Sequence, residues 1–293
     1  MRDDFIQQVG RVWEPLWQQP VRSHEVIEAR QQLHWAVALL AAVAAAEAEP
    51  QADHAHLASS WDARRRRFVG RRTRGGLRAT LQPATLRLGV EGGAEGAQAF
   101  SLTGRTPAAA LNWLTAQVEA ASGERPRLIL DRTGLPGHRL GDGAAFSPPG
   151  PAHVELVRWY AGAVRLLDAV RADHRGASPV RLWPHHFDVA TQLPYGGGGA
   201  EARSIAVGMQ PGDGWHPEPY FYVLPWPPPS GRPQRLGSGG FWNTEGWVGA
   251  ALVAHRLNDR PPERQGTQVA AFVQTAIAVC EELIGVVPKA VRA

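Results

Sequence analysis

The chain has 293 residues, of which 44% are hydrophobic and 20% charged, a globular balance that excludes wholesale disorder. Its one cysteine, Cys280, excludes an internal disulfide and a cysteine-based zinc site. The most apolar run, Trp35–Ala46, is far shorter than the roughly 20 residues a membrane helix needs, so no membrane partner is expected. Met1-Arg2-Asp3-Asp4 is acidic and leads into no apolar stretch, so no signal peptide is expected and a cytoplasmic location is.

Residues 3–12 carry Phe5, Ile6 and Val9 at helical spacing. A longer helix is expected over 25–48, capped by Ser23 and stopped by Pro50, with Leu33, Val37, Leu40, Ala41 and Ala44 on one face. The period then changes. Segments 64–70, 77–80, 85–91 and 97–103, punctuated by Gly-Gly and Pro, read as a β-meander. Eight arginines fall between Arg64 and Arg78 with no acid among them, and they alone lift the net charge to +4; the remaining basic side chains are outnumbered by acids. Arginine forks suit phosphates, but Phe68 is the one aromatic interleaved and no nucleic-acid motif spacing is present. The segment reads as a solvated face, and nucleic acid is not the expected partner.

Thr106-Pro107 starts a helix with Leu111, Leu114 and Val118 as its buried stripe, ended by Ser122-Gly123. A short strand is expected at 128–130. The Gly- and Pro-dense segment 133–151 reads as a linker between domains at 1–135 and 150–293. The second half opens on a helix over 152–174, followed by strands at 180–193, 203–210 and 220–226. A turn at Gly196–Gly199 joins the first two strands, and a proline-rich loop over 225–240, a mixed stretch over 241–254 and a helix over 265–284 follow the third. The expected fold class is α+β: two halves, each an antiparallel β-meander flanked by helices, in an order that suggests a structural duplication.

Chemistry concentrates at Leu182-Trp183-Pro184-His185-His186-Phe187-Asp188. If the whole segment is one strand, alternation puts His186 and Asp188 on one face. Tyr220, Tyr222 and Trp226 share a face of a later strand, and the small residues Ser204, Ala206 and Gly208 lie between. Small residues flanked by aromatic and ionisable ones leave a hollow, as a ligand pocket requires. His186 and Asp188 are therefore the candidate catalytic pair, a near-neutral imidazole oriented by a carboxylate. Tyr220, Tyr222, Trp226 and Glu218 are the candidate ligand-binding residues. A metal set drawn from His185, His186 and Asp188, with His216 and Glu218, fails because adjacent histidines point to opposite faces; no metal is expected. No nucleophile elbow or P-loop spacing is present, and no cofactor is specified.

The series Ser178-Pro179-Val180, Leu182-Trp183, Phe187-Asp188-Val189-Ala190-Thr191, then a Gly-rich turn and Glu218-Pro219-Tyr220-Phe221-Tyr222 resembles an uncharacterised bacterial family, domain of unknown function 5996. The Leu33-His34 helix and the 108–120 helix fit its plan. Members carry an aromatic-Trp-Gly where this chain has Pro184-His185-His186, and a His-Glu pair where it has Arg203-Ser204. The resemblance implies an α+β plan and the importance of Asp188, and no activity. The expected function is small-molecule binding, or an enzyme, with a His/Asp/Tyr pocket on the second sheet. The alternatives are polyanion binding through Arg64–Arg78 and an interaction module built on the proline-rich loop.

Overall fold

The computed structural model describes residues 3–16, 22–92, 96–196, 202–229, 235–258 and 261–286. Among them, six α-helices and two antiparallel sheets make an α+β fold. Two compact units are present, and they do not meet at one point of the chain. The first is Val21–Val157 with Arg181–Asp188; the second is Met1–Pro20, Arg158–Val180 and Val189–Ala293. A single break between 135 and 150 therefore gives way to exchanges: the N-terminal segment goes with the second unit and a hairpin segment with the first.

In the first unit, α2 (Ser23–Glu47) is apolar nearly all round, because several neighbours cover it. The cap lies one residue before the expected Ser23: Arg22 N–H is bonded by the Glu25 carboxylate at 3.0 Å. The sheet runs β1 (Ser60–Asp62), β2 (Arg67–Arg72), β3 (Arg78–Gln82), β4 (Arg87–Glu91) and β5 (Gln98–Ser101), a meander in sequence order. The cross-strand row Phe68, Leu81, Leu88 and Phe100 lies on one face, with the first three fully buried, while α2 packs along β2 and β3. Arg67, on the other face, bridges Asp62 at 3.2 Å and Glu91 at 2.7 Å; it holds the Glu91 carboxyl below its usual range, and against partial burial the Arg65 N–H together with Arg67 does the same for Asp62. Arg64, Arg65, Arg71, Arg72, Arg74 and Arg78 are exposed. The strand begins only at Arg67, because Arg66 takes a left-handed turn conformation (φ 51°). α3 (Pro107–Ser122) starts and stops as expected: Thr106 Oγ1 accepts from Ala109 N–H at 3.1 Å, and Gly123 closes it at φ 78°.

The segment 133–151 is no linker. Trp35 Nε1–H donates to Pro136 O at 3.2 Å, and Gln32 Oε1 accepts from Ser147 N–H at 2.9 Å. The Glu28 carboxylate meets His138 at 3.2 Å, while Leu140 and Phe146 are buried. Gly and Pro density forbids regular hydrogen bonding, not packing; side chains of α2 supply the missing partners. Helix α4 (Pro151–Asp173) follows, and buried His153 accepts the Gly150 N–H at 3.2 Å.

The second sheet has the order β10 (Phe241–Asn243), β11 (Gly249–Val253), β9 (Tyr220–Trp226), β8 (Ser204–Gln210), β7 (Asp188–Pro194), β6 (Arg181–Trp183). Strands β6 to β9 form a meander. The β10–β11 hairpin joins through β11, so the sheet is not the pure meander expected. Ile205, Val207, Met209, Phe221, Val223, Ala250 and Leu252 form its buried face in the second unit. Trp13 and Trp159 reach Phe221 at ring distances of 6.0 and 5.6 Å. Helices α1 (Asp3–Val12) and α6 (Pro262–Leu283) pack together in this unit, α1 burying Phe5 and Val9. Gly266 is required in α6, since a Cβ there would lie 2.5 Å from Trp13 Cβ. Between β11 and α6 lies α5 (Ala254–Asn258). Residues 197–199 of the expected Gly turn and 230–234 of the proline-rich loop fall outside the described residues. Among the described residues, no helix is long and apolar enough to cross a membrane.

Candidate functional site

The sequence-derived site residues fall in both units. His186 and Asp188 belong to the first; Glu218, Tyr220, Tyr222 and Trp226 belong to the second.

Residues 184–187 are a turn, not part of a strand, so the alternation that placed His186 beside Asp188 does not apply. The Phe187 N–H closes the turn on Trp183 O at 2.7 Å, and Phe187 adopts φ 59°. Proline at 184 and a left-handed residue at 187 are turn chemistry, which the aromatic and histidine content masked. His34 of α2 fixes this turn: its Nε2–H donates to Pro184 O at 2.7 Å, and its ring stacks on Phe187 at 5.1 Å. Burial pushes the His34 pKa down to about 4, and Arg30, His186 and His185 add to the depression against the opposing Pro184 bond. His185 and His186 are exposed, with rings 4.3 Å apart. Partial withdrawal from water, then His186 and His54, hold the His185 imidazole below its usual pKa. Asp188 is buried at the start of β7.

The outer face of the second sheet carries the tyrosines. The register aligns Ala190, Gly208, Tyr222 and Ala251 in one row, and Gln210, Tyr220 and Val253 in the next. The hollow expected at Gly208 is filled: the Tyr222 ring lies over it and leaves no room for a side chain. Tyr220, Tyr222 and Trp247 converge, with ring centroids 6.1 to 6.5 Å apart; Tyr220 and Trp247 are nearly parallel and Tyr222 stands edge-on to Trp247. Tyr220 is buried, whereas Tyr222 and Trp247 keep part of their rings in solvent.

Two loops frame these rings. In the first, Asp213 Oδ1 accepts from the N–H groups of Trp215 and His216, both at 2.8 Å, and Oδ2 accepts from the Tyr220 hydroxyl at 2.6 Å. In the second, Asn243 Nδ2 donates to Glu245 O at 2.9 Å and Trp247 O at 2.7 Å. Asn243 Oδ1 therefore faces His216 Nε2 at 3.2 Å, which places the proton on Nε2 and the lone pair on Nδ1. Glu218 turns away to His255, accepting from its backbone N–H at 2.7 Å and contacting its ring Nδ1. Trp226 lies further along β9, 58% exposed.

Sequence reasoning missed Asp213, Asn243 and Trp247, and it weighed His216 only as a metal ligand. Pro211-Gly212-Asp213-Gly214 advertises a turn, but the meeting of that turn with residues 243–247 has no sequence signal. Among the described residues, no three His, Cys, Asp or Glu side chains are arranged to hold a metal ion. Comparison with family models, curated proteins and solved structures finds no match to any of them.

Proposed function

We propose that this is a small-molecule-binding protein that takes a flat ligand, an aromatic heterocycle or a sugar ring, on the outer face of its second sheet. One observation carries the reading: partly exposed Trp247, edge-on to Tyr222, stands 6.4 Å from the ring of His216, whose Nδ1 lone pair is set by the Nε2 bond to Asn243. The rings supply stacking area at little entropic cost, and His216 Nδ1 supplies a directional acceptor. Asp213 holds both the His216 backbone and the Tyr220 hydroxyl, so the group is organised before any ligand arrives. In an enzymatic version, His216 Nδ1 is the proton acceptor, because it is the ring nitrogen that Asn243 does not engage.

The test is a titration of the full chain with compounds released from the purified protein and identified by mass spectrometry, followed by tryptophan fluorescence. A saturable change that disappears in Trp247→Leu and weakens about tenfold or more in His216→Phe is the expected result. Unchanged affinity in both variants, with folding intact by circular dichroism, would overturn the proposal.

A further inference from the structure

A second site lies wholly within the first unit and is independent of the sheet reading. Ala38, Ala41, Ala42 and Ala45 recur along α2 as the floor of a cleft of about 90 Å³. Its wall is the segment 129–135, which turns at Thr133-Gly134, where the Leu135 N–H bonds Arg132 O at 3.1 Å. Ile129, Asp131, Thr133 and Leu135 line the cleft. The intervening residues hold the segment in place: Arg132 lies over the Trp35 ring at 5.6 Å, and Gly134 packs against the His185 carbonyl. Pro184 and His185 of the turn that His34 fixes close one end. Ile129, 59% exposed, stands at the rim beside the alanine methyls.

The cleft's chemistry is one-sided. Asp131 is the one carboxylate among its lining residues, and no lysine or arginine lines it. Basic side chains next in sequence to the lining segments are engaged elsewhere: Arg132 on Trp35, and Arg181 with Asp53 at 3.5 Å and over the Trp183 ring. Thr133 N–H donates to Asp131 Oδ1 at 2.9 Å, which favours the charged carboxylate. Partial burial and the neighbouring His186 and His54 lower the His185 pKa, which favours its uncharged form. The cleft thus offers apolar methyls, a carboxylate that only accepts hydrogen bonds and an uncharged imidazole. An ammonium group only donates, and a short alkyl chain matches the methyl floor. The volume admits a short alkyl chain of a few heavy atoms.

We propose that this cleft binds a primary ammonium on a short alkyl chain, with the chain on the alanine floor and the ammonium on Asp131. The same chemistry is offered by a free amine and by a lysyl side chain. The experiment follows amide chemical shifts of the full chain during titration with n-butylammonium, n-butanol, butyrate and Nα-acetyl-lysine methylamide.

Expected is saturable binding of n-butylammonium, on the order of millimolar, with shifts centred on residues 38–45 and 129–135. It should bind about threefold more tightly than n-butanol, the margin of an exposed ion pair, and butyrate should not bind. Tighter binding of the lysine derivative assigns the ligand to a peptide, weaker binding to a free amine. Asp131→Asn, which keeps the turn to Thr133, should erase the preference over n-butanol, and Ala41→Leu should abolish binding by filling the floor. If Ala41→Leu fails to fold, Ala45→Leu at the exposed end serves the same purpose. Equal affinity for amine and alcohol in the unaltered chain, persistence of the preference in Asp131→Asn, or an absence of shifts in these segments would overturn the proposal.

Discussion

At the residue scale, the two buried histidines of the first unit make stability depend on pH. His34 and His153 both have pKa values pushed down to about 4 from 6.5, in each case chiefly by burial. As pH falls below 6.5, the unfolded chain takes up protons that the folded chain refuses until about pH 4. Their contribution to stability is therefore present above 6.5 and is lost progressively between 6.5 and 4. Each amounts to about 3 kcal/mol over the full window. Denaturant unfolding between pH 7 and 5 should show stability falling as protons are taken up on unfolding. In His153→Gln the slope should drop by close to one proton. An identical slope in the two proteins would mean that His153 is protonated in the folded chain.

At the element scale, the packing of α1 with α6 depends on Gly266, whose place beside Trp13 has no room for a methyl group. Gly266→Ala improves helix propensity by about 1 kcal/mol. The overlap with Trp13 costs more, so a net loss of about 1–3 kcal/mol is expected. A thermal melt decides the sign, and a raised Tm would show that Trp13 shifts freely. The turn at residues 184–187 teaches a related lesson about strands. Pro184 is a turn signal in plain view, yet Trp183, Phe187 and Val189 suit a strand on either side of it, so the run from Leu182 to Val189 reads as unbroken. The contact that tips the balance comes from His34, about 150 residues earlier in the chain.

At the scale of the whole molecule, charge is concentrated in one segment. Six of the eight arginines from Arg64 to Arg78 are exposed on the first unit, and Arg67 is occupied by Asp62 and Glu91. Weak association with duplex DNA is expected at low salt, falling steeply as salt displaces the phosphate contacts. A dissociation constant weaker than about 1 µM at physiological salt is the expected outcome of an anisotropy titration. A tighter one would make polyanion binding the main function.

How much of this was legible in the sequence follows from the range of each interaction. The boundaries of α1 and α3, the β2–β5 meander of the first sheet and the shared face of Tyr220 and Tyr222 were readable, because periodicity, caps and turn residues act within a few positions; β1 (Ser60–Asp62) was not. The clamping of residues 133–151 onto α2 was not, since Glu28, Gln32 and Trp35 act across more than a hundred residues and leave no local pattern. The insertion of β11 beside β9 was hidden in the same way. Strand order depends on which edge is free, and Gly249–Val253 alone does not specify a partner. The candidate site divides along the same line. Composition pointed to the tyrosines of β9. Only the tertiary structure laid Tyr222 over Gly208 and brought Asp213, His216, Asn243 and Trp247 together, because loop meets loop through contacts that neither loop's sequence encodes alone.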